Sequence, residues 1–409
     1  MYPDLSYFLH DLLGTDPDNF TSVVKTFGFM LALAFMGSGW VLRSELKRHE
    51  EEGTLSAIKK KISAVEGFVW SEFLTNAFIL LFIGSKIPYI ASNFEAFKGD
   101  PASVIFSKAG NWGIGLIVAL IFAAYYVYTK KGKSTAPKIE TVTIHPYQKT
   151  WDIVIWAAIS GILGARLFSI LENLDGFFRD PLGTLFSGSG LTVYGGVIVG
   201  FIAVYWYIKR LGIKPLTMMD ISGMAILVGL AIGRMGCQLA GDGDWGIVAA
   251  AQPEWWFLPD WLWSFDYPRN VGNDSILLEG CDTDKYAEVI RQRGMRPEDA
   301  CEAACGYRYC HKLGEPVYPT PIYELLMYTL GFAVLWFWRK KIKVAGVLFF
   351  MYMIYNGITR FLIEKIRVND SYEFLGFEWS QAQYISVAFI LGGIAGIYIL
   401  MKRSRKTST

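Results

Sequence analysis

The sequence is poor in charge. Asp, Glu, Lys and Arg make up only 19% of its 409 residues, whereas soluble domains carry about 25%. Hydrophobic residues reach 53%, aromatic residues reach 16%, and the mean hydropathy is +0.30. These values exclude a disordered or collagen-like chain. The 39 basic and 37 acidic residues nearly balance, so no excess of positive charge indicates a nucleic-acid partner.

Cysteine and histidine are scarce, at five and four residues. So few cysteines in a chain of this length exclude a small disulfide scaffold. The histidines stand at positions 10, 49, 145 and 311, outside the long apolar runs. Histidine base catalysis therefore has no candidate within a membrane span.

Long apolar runs, by contrast, are abundant. A spanning helix needs about 20 mostly apolar residues to cross about 30 Å of hydrocarbon. About nine runs meet this requirement, near 22–42, 66–90, 112–128, 151–171, 193–208, 216–235, 321–338, 346–363 and 383–401. The predicted fold class is all-α, a polytopic membrane helix bundle with about nine transmembrane helices. No tandem repeat is evident in the sequence.

Basic residues are concentrated in alternate loops. The short stretches 43–61, 130–149, 209–214, 339–343 and 402–406 hold 22 of the 39 Lys and Arg residues. Because cytoplasmic loops carry the excess of Lys and Arg, we expect the N-terminus outside and the C-terminus inside. The first 21 residues hold no Lys or Arg and lack the order of a cleavable signal. The first helix is therefore expected to act as the targeting signal.

The outside stretch 236–318 is long enough for a small extracytoplasmic cap between the sixth and seventh helices. Four cysteines lie in it, at 281, 301, 305 and 310. An even number in an oxidising compartment favours two disulfides, with three possible pairings. A metal site is an alternative, because His311 directly follows Cys310; free thiols are another. In either case these cysteines are interpreted as structural.

The chain is accordingly divided into five segments. These are an N-terminal segment with the first helix (1–61), an extra two-helix insertion (62–140), catalytic core helices (141–235), the cap (236–318) and C-terminal core helices (319–409).

Three arginines lie inside or at the outer ends of apolar runs: Arg166, Arg234 and Arg360. A charge at membrane depth costs about 2.5 to 3.5 kcal/mol on insertion scales unless it is paired or wetted. The predicted topology puts all three near the outer leaflet, where they are expected to converge on one pocket. A structural ion pair is the alternative, above all for Arg360 with Glu364 one helical turn later. A guanidinium also binds phosphate through two parallel hydrogen bonds, and a lipid phosphodiester is the anion available at that depth.

Two glycine-rich stretches, 187–196 and 233–246, adjoin these arginines. Glycine permits a close approach of backbone to a ligand, so both stretches are expected to line a cavity, although Gly195 and Gly196 taken alone fit helix packing. Asp242 and Asp244 form an Asp-Gly-Asp loop that resembles a calcium ligand set, but the rest of the twelve-residue calcium loop is missing. Cys237 has no Cys-His partner, which favours a packing thiol over a nucleophile.

Several motifs in order resemble the phosphatidylglycerol:prolipoprotein diacylglyceryl transferases of bacterial inner membranes. The resemblance covers the first span and most of residues 150–400. It is carried by Gly164-Ala-Arg166, Leu191-Thr-Val-Tyr194-Gly195-Gly196, Gly233-Arg234-Met-Gly236-Cys237 to Trp245-Gly246, Pro319-Thr-Pro-Ile-Tyr323-Glu324, Tyr355-Asn-Gly-Ile-Thr-Arg360 to Glu364-Lys-Ile-Arg367, and Gln383.

The resemblance implies transfer of a diacylglyceryl group from phosphatidylglycerol to the lipobox cysteine of a preprolipoprotein, with no cofactor and no metal. Its partners would be phosphatidylglycerol, the signal peptide with its lipobox cysteine and the surrounding membrane lipid, but no nucleic acid. The implied catalytic residues are Arg234, Arg360 and Tyr194. The implied substrate-binding residues are Arg166, Gly195, Gly196, Asp242, Asp244, Tyr323, Glu324 and Glu364.

Four departures from the family pattern stand out. Tyr194 replaces the usual His before Gly-Gly, Cys237 replaces the usual Asn, and Phe27 occupies the position of a Tyr in the first helix. Residues 62–140 have no counterpart in typical seven-helix members. Two alternatives therefore stay open: a lipid transporter or flippase, which should show repeated broken helices in two halves, and a catalytically inactive membrane scaffold.

Overall fold

The structure is a computed structural model that describes residues 1–64, 66–99, 101–134, 136, 138–179, 181–186, 192–292, 295–374 and 376–407. It is mainly helical. The helices are α1 (Leu5–Leu13), α2 (Thr26–Glu51), α3 (Trp70–Ser92), α4 (Phe94–Gly99), α5 (Pro101–Phe106), α6 (Trp112–Lys130), α7 (Thr150–Glu172), α8 (Leu174–Arg179), α9 (Pro181–Phe186), α10 (Val193–Arg210), α11 (Pro215–Ala240), α12 (Thr283–Ile290), α13 (Pro297–Cys305), α14 (Thr320–Trp338), α15 (Val347–Ile363) and α16 (Gln381–Thr407).

Strands are few and short. Three two-stranded antiparallel sheets pair β1 (Ile58–Ala64) with β2 (Lys138–Ile144), β3 (Ile276–Leu277) with β4 (His311–Lys312), and β5 (Ser371–Phe374) with β6 (Phe377–Ser380). Single 3-10 turns occupy Phe20–Val23, Pro146–Lys149, Asp260–Leu262 and Glu364–Ile366.

Eight helices in the described part of the chain are long and apolar enough to cross a membrane: α2, α3, α6, α7 with its preceding turn, α11, α14, α15 with its following turn, and α16. The expectation of a polytopic helical membrane protein is confirmed. The run predicted near 193–208 also forms a helix, α10, but it has only 18 residues and ends on Lys209 and Arg210. It is therefore not one of the eight.

The chain forms two compact units. The first unit contains Met1–Arg48 and Ile213–Thr409, and the second contains His49–Gly212. Each has its own packing, and they are described separately below.

Helix α11 is the centre of the first unit. It packs against α14 and α15, and the buried core around it includes Met224, Leu227, Tyr328 and Leu348. Proline at its first position starts the helix without losing a hydrogen bond, and Gly241 ends it at a φ of +66°. α11 therefore carries residues from the core to one end of the bundle.

A buried carboxylate fixes α15 against α11. Asp220, on α11, accepts hydrogen bonds from the backbone N–H groups of Gly346 at 2.6 Å and Phe349 at 2.8 Å. These N–H groups are at the start of α15, where a negative charge also complements the helix dipole. The contact fixes the position of α15 along the axis of α11. It thereby also fixes the position of Arg360, which lies in the last turn of α15.

The cap of the first unit is held by two disulfides, Cys281–Cys305 and Cys301–Cys310. The expectation of two disulfides is confirmed. His311 is buried, with Nδ1 3.4 Å from the sulfur of Cys310. The sulfurs near His311 belong to Cys301 and Cys310, which are bonded to each other. The alternative of a cysteine-based metal site therefore lacks its thiolate ligands.

We expect reduction, and not metal chelation, to weaken the cap. Cys301 and Cys310 are completely buried, and loss of a native disulfide in a small domain typically costs about 2 to 5 kcal/mol. Dithiothreitol should lower the melting temperature of the detergent-solubilised protein, while EDTA leaves it unchanged. The reverse pattern would restore the metal alternative.

The second unit consists of two similar helical hairpins. The first pairs α3 with α6 and the second pairs α7 with α10, and in each a pair of short helices joins the two long ones. The second series of elements follows the first at a spacing of 80 residues. The expectation that the chain contains no tandem repeat is thus wrong for this unit. The repeat also has a sequence signal, because eight residues from Asn93 to Gly115 recur 80 positions later.

Candidate active site

Arg234 lies near the end of α11 and points at two carboxylates. Its Nη1 donates to Oδ2 of Asp244, and its Nε lies 3.0 Å from Oε2 of Glu324. Asp244 follows a turn that requires glycine, since Gly241 and Gly243 have φ values of +66° and +91° and side chains rarely adopt this conformation. The glycine-rich stretch thus bends the chain back so that Asp244 meets Arg234.

Glu324 joins three arginines. It lies in the second turn of α14, and its side chain is only 2% exposed. Besides Arg234, it contacts Nη1 of Arg360 at 3.2 Å and Nη1 of Arg367 at 3.4 Å. A carboxylate that is buried at this depth requires charged partners, and here three guanidinium groups supply them.

Arg367 completes the arrangement from the segment after α15. Its Nη2 lies 2.6 Å from Oδ1 of Asp244. The backbone brings it there because Gly246 and Arg367 form an antiparallel bridge. A Cβ on Gly246 would lie 2.5 Å from the carbonyl oxygen of Ile366, so a larger residue would force the two segments apart.

Glu364 holds Arg360 from the other side. Its Oε2 lies 3.1 Å from Nη2 of Arg360, one helical turn away, so the predicted ion pair is present. Oε1 of Glu364 accepts hydrogen bonds from Asn369 at 2.6 Å and from Ser380 at 2.8 Å. Arg360 nevertheless also contacts Glu324, so the local pair does not account for all of its contacts.

These six side chains are called the arginine–carboxylate cluster: Arg234, Arg360, Arg367, Asp244, Glu324 and Glu364. The glutamates are 2% exposed, whereas the arginines retain 12% to 27% of their side-chain exposure. The guanidinium groups therefore lie on the accessible side of two buried carboxylates. Each has five N–H donors, and among the described residues the buried Nε of Arg367 has no hydrogen-bond acceptor.

The two aspartates beside the cluster differ in acidity. Burial would raise the pKa of Asp244, but the charges of Arg234 and Arg367 outweigh it and hold the pKa below its ordinary value. Asp242 has an exposed side chain, yet desolvation by the surrounding protein raises its pKa, and the charge of Asp244 adds to this. Asp244 therefore stays ionised, while Asp242 more readily accepts a proton.

Cys237 also borders the cluster. Its buried thiol lies 3.4 Å from Oδ2 of Asp244 and 3.9 Å from Nη1 of Arg234. It is the free cysteine of the described chain, since the other four form disulfides. Phe27 packs near the adjacent Gly236, where a Cβ would lie 3.5 Å from its ring. Of these two departures from the family pattern, Cys237 thus contacts Arg234, and Phe27 packs against the same helix.

Tyr323 faces the cap. Its hydroxyl donates to the carbonyl oxygen of Leu262 at 2.7 Å. It thereby ties the cap to the first turn of α14, immediately before Glu324. Its predicted role in substrate binding stays a prediction.

The remaining predicted site residues belong to the second unit. Arg166 is half-buried in α7, and Tyr194 is 42% exposed in the first turn of α10. Gly195 packs against α7, where a Cβ on Gly164 would lie 2.5 Å from its carbonyl oxygen, and Gly196 lies in the same helix contact. Residues 187–191 of the glycine-rich stretch are outside the described residues. The convergence of Arg166 and Tyr194 on the other arginines stays a prediction.

Arg367 was missed as a site residue by the sequence reasoning. Only arginines within apolar runs or at their outer ends were considered, and Arg367 lies beyond the span. The neighbouring sequence contains no signal for it, because its partners Asp244 and Glu324 are distant in the chain.

The fold and this cluster define a class of protein, a polytopic helical membrane protein in which arginines near one end of several spanning helices meet buried carboxylates. The sequence profile of the prolipoprotein diacylglyceryl transferase family matches residues 103–399. The match covers well over half of the chain, and the chain belongs to this family. It begins within the segment 62–140 that was expected to be an insertion.

Curated relatives agree with this assignment. The chain is 26% identical over 248 residues to the phosphatidylglycerol–prolipoprotein diacylglyceryl transferase of Lysinibacillus sphaericus, covering 60% of this chain and 74% of the relative. It is 26% identical over 285 residues to that of Staphylococcus carnosus, covering 69% and 84%. It is also 26% identical over 260 residues to that of Streptococcus pyogenes, covering 63% and 80%.

Proposed function

We propose that this protein transfers the diacylglyceryl group of phosphatidylglycerol to the lipobox cysteine thiol of preprolipoproteins and releases glycerol phosphate. Family membership and the names of the relatives support the reaction. The observation that carries it is the meeting of Arg234, Arg360 and Arg367 on one buried carboxylate, Glu324. Rigidly held guanidinium groups suit a phosphodiester, which accepts paired hydrogen bonds.

In the proposed reaction the substrate thiol attacks the carbon of the diacylglyceryl group that is bonded to the phosphate oxygen. A carbon–sulfur bond forms, and the carbon–oxygen bond breaks with its electron pair leaving on glycerol phosphate. Arg234 and Arg360 stabilise the charge that develops on this leaving group. Their positive field also favours thiolate over thiol. The proposed acceptor of the thiol proton is Asp242, because desolvation by the surrounding protein raises its pKa.

We place the protein in the bacterial inner membrane, with its N-terminus outside and its C-terminus in the cytoplasm. The distribution of Lys and Arg among short loops supports this orientation. Arg234 and Arg360 lie near the ends of α11 and α15, and Glu324 lies near the start of α14. With this orientation all three are on the extracytoplasmic side, where a lipoprotein precursor presents its cysteine.

The reaction is tested with the purified full-length chain in vesicles that contain a lipobox peptide and phosphatidylglycerol labelled in its diacylglyceryl group. Appearance of label on the peptide, with release of glycerol phosphate, supports the transferase. Movement of labelled lipid between leaflets without transfer would instead support a flippase. If neither transfer nor movement between leaflets is observed, an inactive scaffold remains as the explanation.

We expect Tyr194→Phe to lower the rate of transfer about tenfold to a hundredfold without changing the melting temperature. Tyr194 is partly exposed in the first turn of α10, and its hydroxyl is proposed to donate a hydrogen bond to the phosphate, worth about 1.5 to 3 kcal/mol for a charged acceptor. Initial rates at saturating peptide measure the effect. Full activity of the variant would remove the hydroxyl from the mechanism.

A further inference from the structure

The two hairpins of the second unit have matching element bounds. Helices α3 and α7 both have 23 residues, and the bounds of α7, α8, α9 and β2 are those of α3, α4, α5 and β1 shifted by 80 residues. Helices α6 and α10 end 80 residues apart, at Lys130 and Arg210. Each is followed by a glycine with positive φ, Gly132 at +76° and Gly212 at +64°.

A shared sequence pattern follows the same spacing. Both hairpins contain Asn-x3-Phe-x2-Asp-Pro-x4-Phe-Ser-x2-Gly-x4-Gly, from Asn93 to Gly115 in the first and from Asn173 to Gly195 in the second. The pattern runs through the short helices into the second long helix. Eight identical residues at identical spacing indicate two copies of one unit.

Packing contacts inside the hairpins are equivalent as well. A Cβ on Gly84 would lie 3.2 Å from Cα of Gly115, and a Cβ on Gly164 would lie 2.5 Å from the carbonyl oxygen of Gly195. Small residues at such crossings allow membrane helices to approach closely. These glycines are thus common to both copies and serve the packing of each hairpin.

A carboxylate–tyrosine hydrogen bond also recurs. Tyr126 donates to Glu72 at 3.0 Å in the first hairpin, and Tyr207 donates to Asp152 at 3.1 Å in the second. In both, the acid is in the first turn of the first long helix and the tyrosine is near the end of the second. The bond therefore joins the same ends of both helix pairs.

The copies pair with each other symmetrically. In the β1–β2 ladder Lys61 is opposite Thr141, which is its own counterpart 80 residues later, and Ile58 and Ala64 are opposite Ile144 and Lys138. Pairing of a residue with its equivalent is the property of a two-fold, isologous interface. The short helices α5 and α9, which are equivalent, also contact each other. The second unit thus has the arrangement of an internal pseudo-dimer.

A cation occupies equivalent positions in the two copies, the buried Lys86 in α3 and the half-buried Arg166 in α7. Lys86 is 3% exposed. Its ammonium group donates to the carbonyl oxygens of Val104 at 3.3 Å, Ser107 at 2.5 Å and Ala109 at 2.7 Å. All three acceptors lie in the segment that joins α3 to α6. The ammonium group of Lys86 therefore holds its own connecting segment.

We infer that residues 58–132 and 138–212 are two copies of one membrane hairpin, and that Arg166, like Lys86 in the first copy, holds a short connecting helix of its hairpin, α9, instead of binding the lipid phosphate. The equivalent of Val104 is Thr184, in α9, and α9 contacts α7 as α5 contacts α3. Arg166 is on this account a positioning residue. The expectation that it binds substrate is replaced.

The comparison of the copies also separates packing from chemistry. Gly195 and Arg166 have counterparts of the same kind in the first hairpin, Gly115 and Lys86, whereas Tyr194 corresponds to Ile114. A residue needed by the hairpin itself should be present in both copies. Tyr194 is present only in the second copy and therefore remains available for the proposed reaction, as does Gly196, whose counterpart is Leu116.

Exchange of the two cations tests the inference. Lys86→Met and Arg166→Met should each lower the melting temperature of the full-length protein by on the order of 5 °C, because buried carbonyl groups lose their donor. Lys86→Arg and Arg166→Lys should retain most of the stability, since each installs the cation of the other copy. Wild-type melting of both Met variants would overturn the inference.

A kinetic measurement distinguishes positioning from lipid binding, and it rests on the proposed function. Arg166→Lys should keep the KM for phosphatidylglycerol within about twofold, whereas loss of a bidentate phosphate contact would raise it about tenfold or more. An increase of that size at unchanged melting temperature would put the guanidinium on the lipid and overturn the assignment. If the wild-type protein transfers no lipid, the proposed function fails, while the melting comparison still decides the role of the cations.

Discussion

Arg234→Gln is expected to lower diacylglyceryl transfer at least about a thousandfold. Removal of one donor to a developing oxyanion typically costs a factor of about 10² to 10³, and Gln also loses the charge that attracts the phosphodiester. Arg234 contacts both Asp244 and Glu324, as Arg367 also does, so its loss leaves each carboxylate with one positive partner fewer beside the substrate. Single-turnover transfer of label to the lipobox peptide measures the effect.

Arg269→Gln is the matched control for this variant. Arg269 lies in the cap, where it pairs with Asp11 at 3.3 Å, and the same chemical change there should leave transfer near the wild-type rate. Arg234→Lys keeps the charge but loses the fork of donors, and should fall between Gln and wild type. Wild-type turnover of a folded Arg234→Gln protein would remove this residue from the mechanism. Melting curves of all three variants show whether the chain remains folded.

The sequence was sufficient to predict the spans because hydrophobic length is a local property. The apolar run near 216–235 predicts α11, and the structure places that helix at Pro215–Ala240. The charges of Arg234 and Arg360 also stand out locally, since an arginine within an apolar run requires a partner. What the runs cannot specify is which partner. Glu364 was the partner expected for Arg360, whereas the structure shows that Glu324 joins three arginines while Glu364 joins one.

Arg367 was not predicted because its position depends on a long-range backbone contact. The bridge between Gly246 and Arg367 joins residues more than 100 positions apart, and nothing in the local pattern of either segment indicates it. Gly246 was recognised only as one of several glycines. Its requirement for a small residue arises from the carbonyl oxygen of Ile366, which becomes apparent only when the two segments are together.

The repeated hairpin was overlooked for a different reason. Helix packing requires only small residues at the crossing and apolar residues elsewhere, so two copies can retain the same structure with few identical positions. Lys86 and Arg166 differ in residue type, and Glu72 and Asp152 differ in length, yet each pair serves an equivalent position. The pattern of eight identical residues from Asn93 to Gly115 and from Asn173 to Gly195 was the signal that a search for apolar runs overlooks.

Glu324→Gln is expected to lower both stability and catalysis. Its side chain is 2% exposed and contacts Arg234, Arg360 and Arg367, and removing one partner of a buried charge pair costs about 3 to 5 kcal/mol. Three guanidinium groups would remain around a neutral amide, free to move apart. Because the proposed catalysis depends on their common orientation, the folded fraction of the variant should also have a strongly reduced kcat.

Glu45→Gln separates these two effects. Glu45 is equally buried, at 1% exposure, and is held by Arg48 at 2.6 Å and Arg339 at 3.0 Å, away from the arginine–carboxylate cluster. The same change there should lower the melting temperature by a comparable amount while the folded protein keeps its kcat. If both variants lose stability alike and both retain kcat, Glu324 only stabilises the fold. If Glu324→Gln loses kcat at a temperature where both variants are folded, the carboxylate orients the arginines for the reaction.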